Sequence, residues 1–405
     1  REKVDANCEA EIMDSEDPLF ILYTSGSTGK PKGLIHTTGG YLTQVAFSQD
    51  YIFQCQAKEV FWTTADIGWI TGHSYLVYGP LSNGLTTLIF AGTPIWPDPS
   101  RSWKIIDKHK VSVFYTSPTA LRTLKKAGNS WLLSSSRSSL RLLGSVGEPI
   151  NPEVWRWYYE EVGREKAPIV DTWWQTETGS VLLSPPQTKP AKPGYACQPL
   201  PHIYPGLISE NAEEIFGAGT GQLIFHCPWP SLARTILGDH QRYCETYFKE
   251  GYYLTGDGAK RDADGDYCIG GRIDDVLNVS GHRLGTAEIE SALLAHQAVA
   301  EAAVVGIPHE LKGEGIQAYV ALKDKFEPGE VLEEELREKV KTKLTALAKP
   351  DKIIFVNELP KTRSGKIMRR ILRLLASKTI STKAELGDLS TLANPETVDD
   401  LLEKS

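Results

Sequence analysis

Apolar residues in the first half of the chain occur in short runs that alternate with helical patterns. The runs are bounded by glycine or proline, which predicts buried strands, and they are Leu85–Ala91, Val111–Tyr115 and Ser139–Val146. Ser117-Pro118 and Asn151-Pro152 each place a capping residue before a proline, which is typical of a helix start. Helices are therefore predicted over Ala120–Ala127 and Val154–Val162. This alternation predicts an α/β core with a mostly parallel sheet.

The pattern changes twice in the second half. From about Gln187 to Asp266, short apolar runs are separated by prolines and glycines, which predicts a β-rich subdomain. After Arg272 the predicted elements form a compact α+β unit: helix Thr286–Ala295, strands Ala298–Ile307 and Gln317–Leu322, helix Val331–Leu344 and strand Lys352–Val356. We therefore divide the chain into an α/β core at residues 1–272, a small α+β domain at 273–377 and a polar surface tail at 378–405.

Composition and charge exclude several function classes. The net charge of −7 leaves no basic face of the kind that nucleic-acid-binding proteins use. No run of 18 apolar residues is present, so we predict no membrane-spanning helix and expect a cytoplasmic protein. The six cysteines are far apart and form no C-x-x-C pair, which argues against a disulfide framework or a zinc cluster.

The segment Tyr23–Gly33 is the most informative motif. It reads Tyr-Thr-Ser-Gly-Ser-Thr-Gly-Lys-Pro-Lys-Gly, and it follows an apolar run. Its glycines let backbone N–H groups approach an anion, while the hydroxyls and both lysines add donors and charge. It is not a Walker A loop, because Pro31 stands where that motif has serine or threonine. The segment predicts a phosphate-binding loop.

Two further segments suit a nucleotide pocket. Gly144–Pro149 closes a predicted strand with glycines, at the edge where a parallel α/β sheet normally binds its ligand. Asp171–Gly179 combines two tryptophans with carboxylates and hydroxyls, which suits a pocket wall and a metal-binding acid. Taken alone, however, paired tryptophans are equally typical of a hydrophobic core.

Charged residues later in the chain could bind the rest of a nucleotide. Asp257 and Arg272 are an acid and a base that suit a sugar diol, although Asp257 equally suits a turn. The segments Asp274–Gly285 and Pro360–Lys366 each place basic side chains beside serine and glycine. Either basic cluster by itself is as typical of a solvated face as of a phosphate site.

In this order, the segments resemble the adenylate-forming superfamily, and more closely its AMP-forming acetyl-CoA synthetases. The likeness runs from about Pro18 to Leu375, and its most specific stretches are Ala65–Tyr75, Gly147–Pro152, Trp173–Gly179 and Ser280–Glu290. The resemblance implies a large adenylation core with a β-rich subdomain, followed by a small mobile C-terminal domain. It also implies that the family's N-terminal portion is absent from this sequence, so we expect a partial core.

The resemblance implies two half-reactions that use ATP, Mg²⁺ and coenzyme A. Acetate attacks the α-phosphorus of ATP to give acetyl-AMP and pyrophosphate, and the thiol of coenzyme A then displaces AMP. The implied catalytic residues are Lys366, Arg283 and Glu177, with Glu177 near the metal. The residues implied for ATP and AMP are Thr24, Ser25, Gly26, Ser27, Thr28, Gly29, Lys30, Gly147, Glu148, Pro149, Asp171, Thr172, Trp173, Trp174, Gln175, Thr176, Asp257, Arg272 and Arg283.

The resemblance also assigns the acyl and coenzyme A sites. Trp174 is expected to close an acyl pocket that longer-chain relatives keep open with a glycine, and Ile70, Thr71 and Val146 line the rest. Ile70 stands where many relatives have valine, which shrinks the pocket, so acetate is the expected substrate and propionate the next. Coenzyme A is assigned to Thr71, Ser280, Gly281 and Lys341, with Lys341 in place of the family's arginine.

Three further expectations come from the same resemblance. Asp274 is the expected hinge of the mobile domain. Leu294, His296 and Val299 are the expected structural metal site, although an ordinary surface histidine at a helix end fits His296 equally well. Lys366 is also a candidate target of a lysine acyltransferase and a deacylase.

Three functions remain open on the sequence. The favoured hypothesis is an AMP-forming acetate–CoA ligase, because each residue implied for adenylation is present. A propionyl-CoA or other short-chain acyl-CoA synthetase is the second. A non-catalytic fragment that binds ATP or AMP is the third, and it is consistent with the missing N-terminal portion.

Overall fold

The computed structural model describes most of the chain. The described residues are 7–24, 31–186, 188–189, 191–209, 211–249, 251–273, 276–280, 282–310, 312–362, 367–377, 380, 382–387, 389 and 392–404. Several predicted site residues lie outside this part: Ser25–Lys30, Asp274, Gly281 and Lys366. For Arg283 the structure describes the backbone but not the side chain.

Strands make up much of the described chain. They are β1 (Pro18–Thr24), β2 (Lys32–Thr37), β3 (Val60–Thr63), β4 (Thr86–Thr87), β5 (Val111–Thr116), β6 (Leu142–Ser145), β7 (Ile169–Asp171), β8 (Leu183–Ser184), β9 (Gln198–Pro199), β10 (Pro205–Ile208), β11 (Gly219–Phe225), β12 (Thr235–Ile236), β13 (Phe248–Lys249), β14 (Tyr252–Arg261), β15 (Tyr267–Arg272), β16 (Val276–Val279), β17 (His282–Gly285), β18 (Val299–His309), β19 (Gly313–Leu322) and β20 (Lys352–Val356).

Helices connect these strands. They are α1 (Thr38–Phe53), α2 (Ile70–Gly72), α3 (Gly79–Ser82), α4 (Arg101–His109), α5 (Pro118–Ala127), α6 (Pro152–Trp157), α7 (His240–Tyr247), α8 (Thr286–Leu294), α9 (Glu330–Lys343), α10 (Arg369–Ala376) and α11 (Thr397–Lys404). Two segments, His73–Tyr78 and Tyr158–Val162, are π-helical. None of the described helices is long and apolar enough to cross a membrane.

A five-stranded parallel sheet in the order β4-β3-β5-β6-β7 organises the core, as the alternating pattern predicts. β5 is buried along its whole length. Val113 and Tyr115 join one apolar cluster while Phe114 joins another, because neighbouring side chains of a strand point to opposite faces of the sheet. The carboxyl ends of β6 and β7 lead into the two predicted nucleotide segments, Gly144–Pro149 and Asp171–Gly179.

Two antiparallel sheets complete the core. One has the order β1-β2-β12, and the predicted phosphate loop joins its first two strands. The other has the order β10-β11-β14-β13, with β15 on β14, and it is the predicted β-rich subdomain. These sheets bring Lys32, at the start of β2, and Asp257 to the segment that follows β7.

The C-terminal unit contains the predicted helices and strands. Its sheet has the order β17-β16-β19-β18, and β20 runs parallel to β19. The predicted helix 331–344 is α9, in which Arg337 Nη2 lies 2.5 Å from Glu333 Oε1. The domain boundaries themselves stay predictions.

The end of the chain differs from the prediction of a surface tail. α11 packs beside β20, and four apolar side chains near the end of the chain are buried in the core of the C-terminal unit: Leu386, Leu392, Val398 and Leu401. Asn394 also ties this segment to the chain that follows β20, because its Oδ1 accepts a hydrogen bond from Lys361 N at 3.0 Å. The apolar residues are spread over several short elements, so no single helical or strand period revealed them.

Replacing Leu401 tests this packing. Leu401→Ala should lower the free energy of unfolding of the C-terminal unit by about 2 to 5 kcal/mol, because it leaves a cavity in a fully buried cluster. Amide hydrogen exchange of β20 in increasing urea measures the effect. The exposed neighbour Glu403→Ala is the control and should change it by less than about 0.5 kcal/mol. Equal exchange in the two variants would contradict the packing.

Candidate active site

The turn Gln175–Gly179 lies at the centre of the site. Three residues from two surrounding segments contact its carbonyl oxygens: Ala233 N donates to Glu177 O (2.9 Å), Trp229 Nε1 donates to Thr178 O (2.8 Å), and His36 Nε2 lies 2.8 Å from Thr176 O. Gly179 has a φ of +74°, and a Cβ there would lie 2.4 Å from Ser231 O. The turn is thus fixed in position and admits no side chain at Gly179.

His36 supports this turn as a neutral ring. Burial lowers the pKa of His36 to about 4, although the hydrogen bonds favour the charged form and oppose this shift. Its Nδ1 lies 3.1 Å from Ser231 O and its Nε2 lies 2.8 Å from Thr176 O, so the neutral ring, which carries a single N–H, donates to one of these two carbonyls. His36 was not among the predicted site residues.

Glu177 belongs to a buried charged cluster with Lys32 and Tyr247. Lys32 Nζ donates to the Tyr247 hydroxyl at 2.5 Å, and that hydroxyl donates to Glu177 Oε1. Lys32 Nζ lies 3.8 Å from the same carboxylate oxygen. The side chains of Lys32 and Glu177 are only 11% and 14% exposed. Lys32 is therefore a buried counter-ion within this cluster, and its expected contribution to phosphate binding stays a prediction.

Thr24 ends β1 on the other side of the phosphate loop. Its hydroxyl oxygen is buried and has no hydrogen-bond partner among the described residues. The loop residues that follow, Ser25–Lys30, lie outside the described part, so their assignment to phosphate stays a prediction.

Asp257 and Arg272 are neighbours across β14 and β15, as a sugar-binding pair requires. They are register partners, and Arg272 Nη1 lies 3.9 Å from Asp257 Oδ1. The other carboxylate oxygen accepts from Trp173 Nε1 at 3.1 Å and from Gln175 Nε2 at 2.9 Å. Trp173 and Gln175 were predicted to contact the nucleotide; in the structure, both also hold Asp257.

Burial shifts the pKa of both acids at this end of the site. Desolvation raises the pKa of Asp257 to about 6, although Arg272 and the hydrogen bonds partly oppose it. Desolvation also raises the pKa of Asp171, at the end of β7, to about 8. Asp171 is only 5% exposed. A protonated carboxyl can donate a hydrogen bond, so Asp171 has donor capacity near neutral pH.

Some of the predicted nucleotide-binding residues that follow β6 and β7 contact other protein groups through their side chains. Gly147 has a φ of +97°. The Glu148 carboxylate faces away into the fold, because it forms an ion pair with Arg122 at 2.9 Å and accepts from the Thr119 hydroxyl. The Thr172 hydroxyl donates to Ser145 O at 2.9 Å. For Glu148 and Thr172, the backbone rather than the side chain is left to face a ligand.

The residues predicted for the acyl pocket lie around Trp174. Its ring contacts Tyr75 edge-on, with centroids 5.1 Å apart. Trp174 packs against two apolar clusters, one of which contains Val146 and the other Ile70. Both residues are buried, at 5% and 7% exposure, and Thr71 follows Ile70 in α2. The tryptophan therefore joins the two predicted walls.

The predicted residues of the C-terminal unit lie on two elements, the β16–β17 hairpin and α9. Arg283 lies on β17, Ser280 has a φ of +52°, and Lys341 on α9 pairs with Glu338 Oε2 at 2.9 Å. A coenzyme A phosphate would have to compete with Glu338 for Lys341.

The predicted metal site near α8 shows an ordinary histidine environment. His296 Nδ1 accepts from Ala298 N at 3.3 Å, and His296 Nε2 lies 3.5 Å from Glu335 Oε2. Its backbone oxygen accepts from Val299 N at 3.1 Å. The assignment of Leu294, His296 and Val299 to a metal stays a prediction.

A carboxylate cluster that we did not predict lies on the β14–β15 turn. Among the described residues, Asp262, Asp264 and Asp266 form the one group of acidic, histidine or cysteine side chains close enough to share a metal ion. The Lys192 ammonium lies at its centre, 2.7, 2.7 and 2.6 Å from the three carboxylates. The single ammonium thus offsets one of the three negative charges. The alternating aspartates of Asp-Ala-Asp-Gly-Asp were the available signal.

Comparison with protein families accounts for this arrangement. Residues 1–236 match the model of the AMP-binding enzyme family, and residues 288–366 match that of the AMP-binding enzyme C-terminal domain. The chain belongs to the AMP-binding enzyme family.

Individual relatives give a finer comparison. The chain is 58% identical over 401 residues to acetyl-coenzyme A synthetase 2 of Pseudomonas aeruginosa, covering 98% of this chain and 62% of that protein. It is 57% identical over 404 residues to acetyl-coenzyme A synthetase of Syntrophus aciditrophicus, covering 99% and 62%. This AMP-binding enzyme therefore spans less than two thirds of the length of the curated relatives that it matches.

A solved structure supports the fold. The crystal structure of the anthranilate CoA ligase AuaEII in complex with anthranoyl-AMP matches with a TM-score of 0.82 and 27% identity. The match covers 92% of this chain and 70% of that chain.

The raised pKa of Asp171 predicts a pH-dependent stability. An unfolded aspartate ionises near pH 4, whereas folded Asp171 stays neutral up to about pH 8. Its contribution to stability is thus complete below about pH 4 and is lost as the pH rises to about 8, by at most about 1.4 kcal/mol per pH unit. Asp257 acts in the same direction but only up to about pH 6. Of these two acids, only Asp171 still contributes above pH 6.

Asp171→Asn should flatten the stability curve above pH 6. Urea unfolding from pH 6 to 8 should show a smaller loss of unfolding free energy in Asp171→Asn than in the unsubstituted chain. The exposed Asp324→Asn is the control and should keep the original slope. Identical slopes for Asp171→Asn and the unsubstituted chain would show that Asp171 ionises normally.

Proposed function

We propose that this AMP-binding enzyme activates acetate with ATP to form acetyl-AMP and pyrophosphate, and then transfers the acetyl group to coenzyme A. The identity of 57 to 58% to acetyl-coenzyme A synthetases over nearly the whole chain supports this activity. The chain spans 62% of those relatives, so the proposal is that this portion carries the adenylation chemistry.

One observation carries the proposal: a single turn connects the two ends of a nucleotide site. Glu177 in this turn meets Lys32, directly after the phosphate loop, while Gln175 in the same turn holds Asp257 of the ribose pair. Trp174, next to Gln175, packs against the clusters that contain Val146 and Ile70, the residues assigned to the acyl pocket. Neighbouring residues of one turn would thus position the phosphates, the ribose and the acyl group. This would fix the acetate carboxylate and the α-phosphorus of ATP relative to each other.

The residues of the turn fit a magnesium ion. Mg²⁺ prefers hard oxygen ligands and is held in nucleotide sites by one or two carboxylates together with phosphates. Glu177 offers such an oxygen, since Oε1 is occupied by Tyr247 and no described residue donates to Oε2. Glu177 would hold the metal beside the β- and γ-phosphates, where the ion neutralises the charge of the departing pyrophosphate.

The remaining roles follow from charge. The transition state gathers negative charge on phosphate oxygens, so the site needs fixed cations rather than a nucleophile. Lys366 would bridge the acetate carboxylate and the α-phosphate, and Arg283 would contact the phosphate. A swing of the C-terminal unit at Asp274 would replace Lys366 by the Ser280-Gly281 face for the coenzyme A step. Lys366 is then also the residue that a lysine acyltransferase and a deacylase would regulate, in a cytoplasmic enzyme.

Pyrophosphate release tests the adenylation step. The 405-residue chain, supplied with acetate and Mg²⁺·ATP, should release pyrophosphate, and Lys366→Ala should lower the rate by at least about 100-fold because it removes the cation at the reacting atoms. An enzyme-coupled pyrophosphate assay measures it. Lys361→Ala, in the same segment, is the matched control and should keep most of the rate. Absence of release by the unsubstituted chain would favour the non-catalytic alternative.

Chain-length preference tests the acyl pocket. Trp174→Gly should raise kcat/KM for butyrate or longer acids relative to acetate by about tenfold or more, since each methylene accommodated is worth about 1 to 3 kcal/mol. Trp173→Phe serves as the control, because that ring packs beside Phe225 with centroids 5.6 Å apart, away from the acyl pocket. Unchanged selectivity would remove Trp174 from the pocket, and a preference of the unsubstituted chain for propionate would favour the second alternative.

A further inference from the structure

Tyr247 occupies an unusual position between two opposite charges. Its hydroxyl accepts a hydrogen bond from Lys32 Nζ at 2.5 Å and donates one to Glu177 Oε1. Lys32 and Glu177 remain 3.8 Å apart, whereas a directly bonded ammonium and carboxylate lie about 2.7 to 2.9 Å apart. The phenol therefore stands in the place of a direct ion pair.

The surroundings fix the phenol in this position. Tyr247 is 5% exposed, at the end of α7, and its ring stacks on Tyr253 with centroids 5.9 Å apart and planes 6° from parallel. The Tyr253 hydroxyl donates to Gln175 Oε1 at 3.1 Å. Burial and then the Glu177 charge raise the pKa of Tyr247 above its usual value, so the phenol stays protonated and donates to the carboxylate.

We propose that Tyr247 is a positioning residue that separates Lys32 from Glu177 and thereby keeps the Glu177 carboxylate available as a metal ligand. If the Lys32 ammonium were paired directly with Glu177, it would occupy a carboxylate oxygen and place a positive charge beside the expected metal position. The hydroxyl instead occupies only Oε1 and holds the ammonium back. Residues that orient a metal ligand in this way typically change metal affinity by about 10 to 100-fold when replaced. The inference rests on the proposed role of Glu177.

Tyr247→Phe removes the hydroxyl while it retains the stacked ring. Lys32 should then close onto Glu177, so the affinity for Mn²⁺ in the presence of ATP should fall by about tenfold. Electron paramagnetic resonance of free Mn²⁺ measures this binding without turnover. The Mg²⁺ concentration for half-maximal pyrophosphate release should rise in parallel, with a smaller change in kcat.

Tyr243→Phe is the matched control. Tyr243 lies on the same helix, is 4% exposed, and donates its hydroxyl to Ala233 O rather than to a charged group. Loss of the Tyr243 hydroxyl should lower the melting temperature, as should loss of the Tyr247 hydroxyl. It should change the affinity for Mn²⁺ by less than twofold. An equal fall in Mn²⁺ affinity in both variants would reduce Tyr247 to a purely structural role and overturn the proposal.

A second background tests the spacer mechanism itself. In Lys32→Met no ammonium is present to close onto Glu177, so adding Tyr247→Phe should change Mn²⁺ affinity by less than twofold. A full tenfold effect in that background would show that the hydroxyl does not act through Lys32, and would overturn the proposal.

The binding measurement also separates this inference from the proposed function. Weaker Mn²⁺ binding by Tyr247→Phe, in a chain that releases no pyrophosphate with any short acid, would leave the role of Tyr247 standing and overturn the activity. No measurable binding of Mn²⁺ with ATP by the unsubstituted chain would overturn both.

Discussion

The structure depends on satisfying the buried carbonyl groups of the turn at residues 175–179. An unpaired buried carbonyl costs about 1 to 3 kcal/mol, and this turn presents several to the interior. β2 supplies His36, and the segment before β12 supplies Trp229 and Ala233. The parallel sheet and the β1-β2-β12 sheet are thus joined through hydrogen bonds to one loop. Functional side chains then project from a backbone that has little freedom to move.

A neutral histidine is well suited to such a position. A permanently charged side chain at His36 would have to be desolvated, and burial of a lone charge is far more costly than burial of a hydrogen-bonded neutral group. The charges of the site are instead grouped, with Lys32 opposite Glu177 and Arg272 opposite Asp257. The site therefore contains one buried pair, Lys32 and Glu177, and one pair, Arg272 and Asp257, whose arginine is half exposed.

Most of the helices and strands, and many of the residues of the candidate site, could be predicted from the sequence. β5 and α9 were predictable because a long apolar run or a helical period is a local property. Asp257 and Arg272 were recognised as an acid and a base, and the register of β14 and β15 makes them neighbours. The acetyl-CoA synthetase resemblance, rather than periodicity, supplied the assignment of Trp174 to an acyl pocket.

Other features depend on the direction in which a side chain points or on contacts between residues far apart in the sequence, and these were not predicted. Lys32 looks like a second phosphate lysine beside Lys30, but it shares the buried face of β2 with Leu34 and His36, and this alternation was the signal that went unused. Tyr247 lies 215 residues from Lys32 along the chain, and no local pattern could link them. Lys192 and the aspartates of the β14–β15 turn are also far apart in sequence. The apolar residues of the last segment were too dispersed for a periodic pattern.

The pairing of β12 with β2 has a consequence for the order of events during synthesis. Thr235 and Ile236 pair with Ile35 and Leu34, so the inner edge of β2 stays open until some two hundred further residues have been made. Contacts of such long sequence separation form late, because a long loop must first be closed. A nascent chain thus carries the β1–β2 hairpin with one unpaired edge while those residues are made, and unpaired strand edges are where partly folded chains associate.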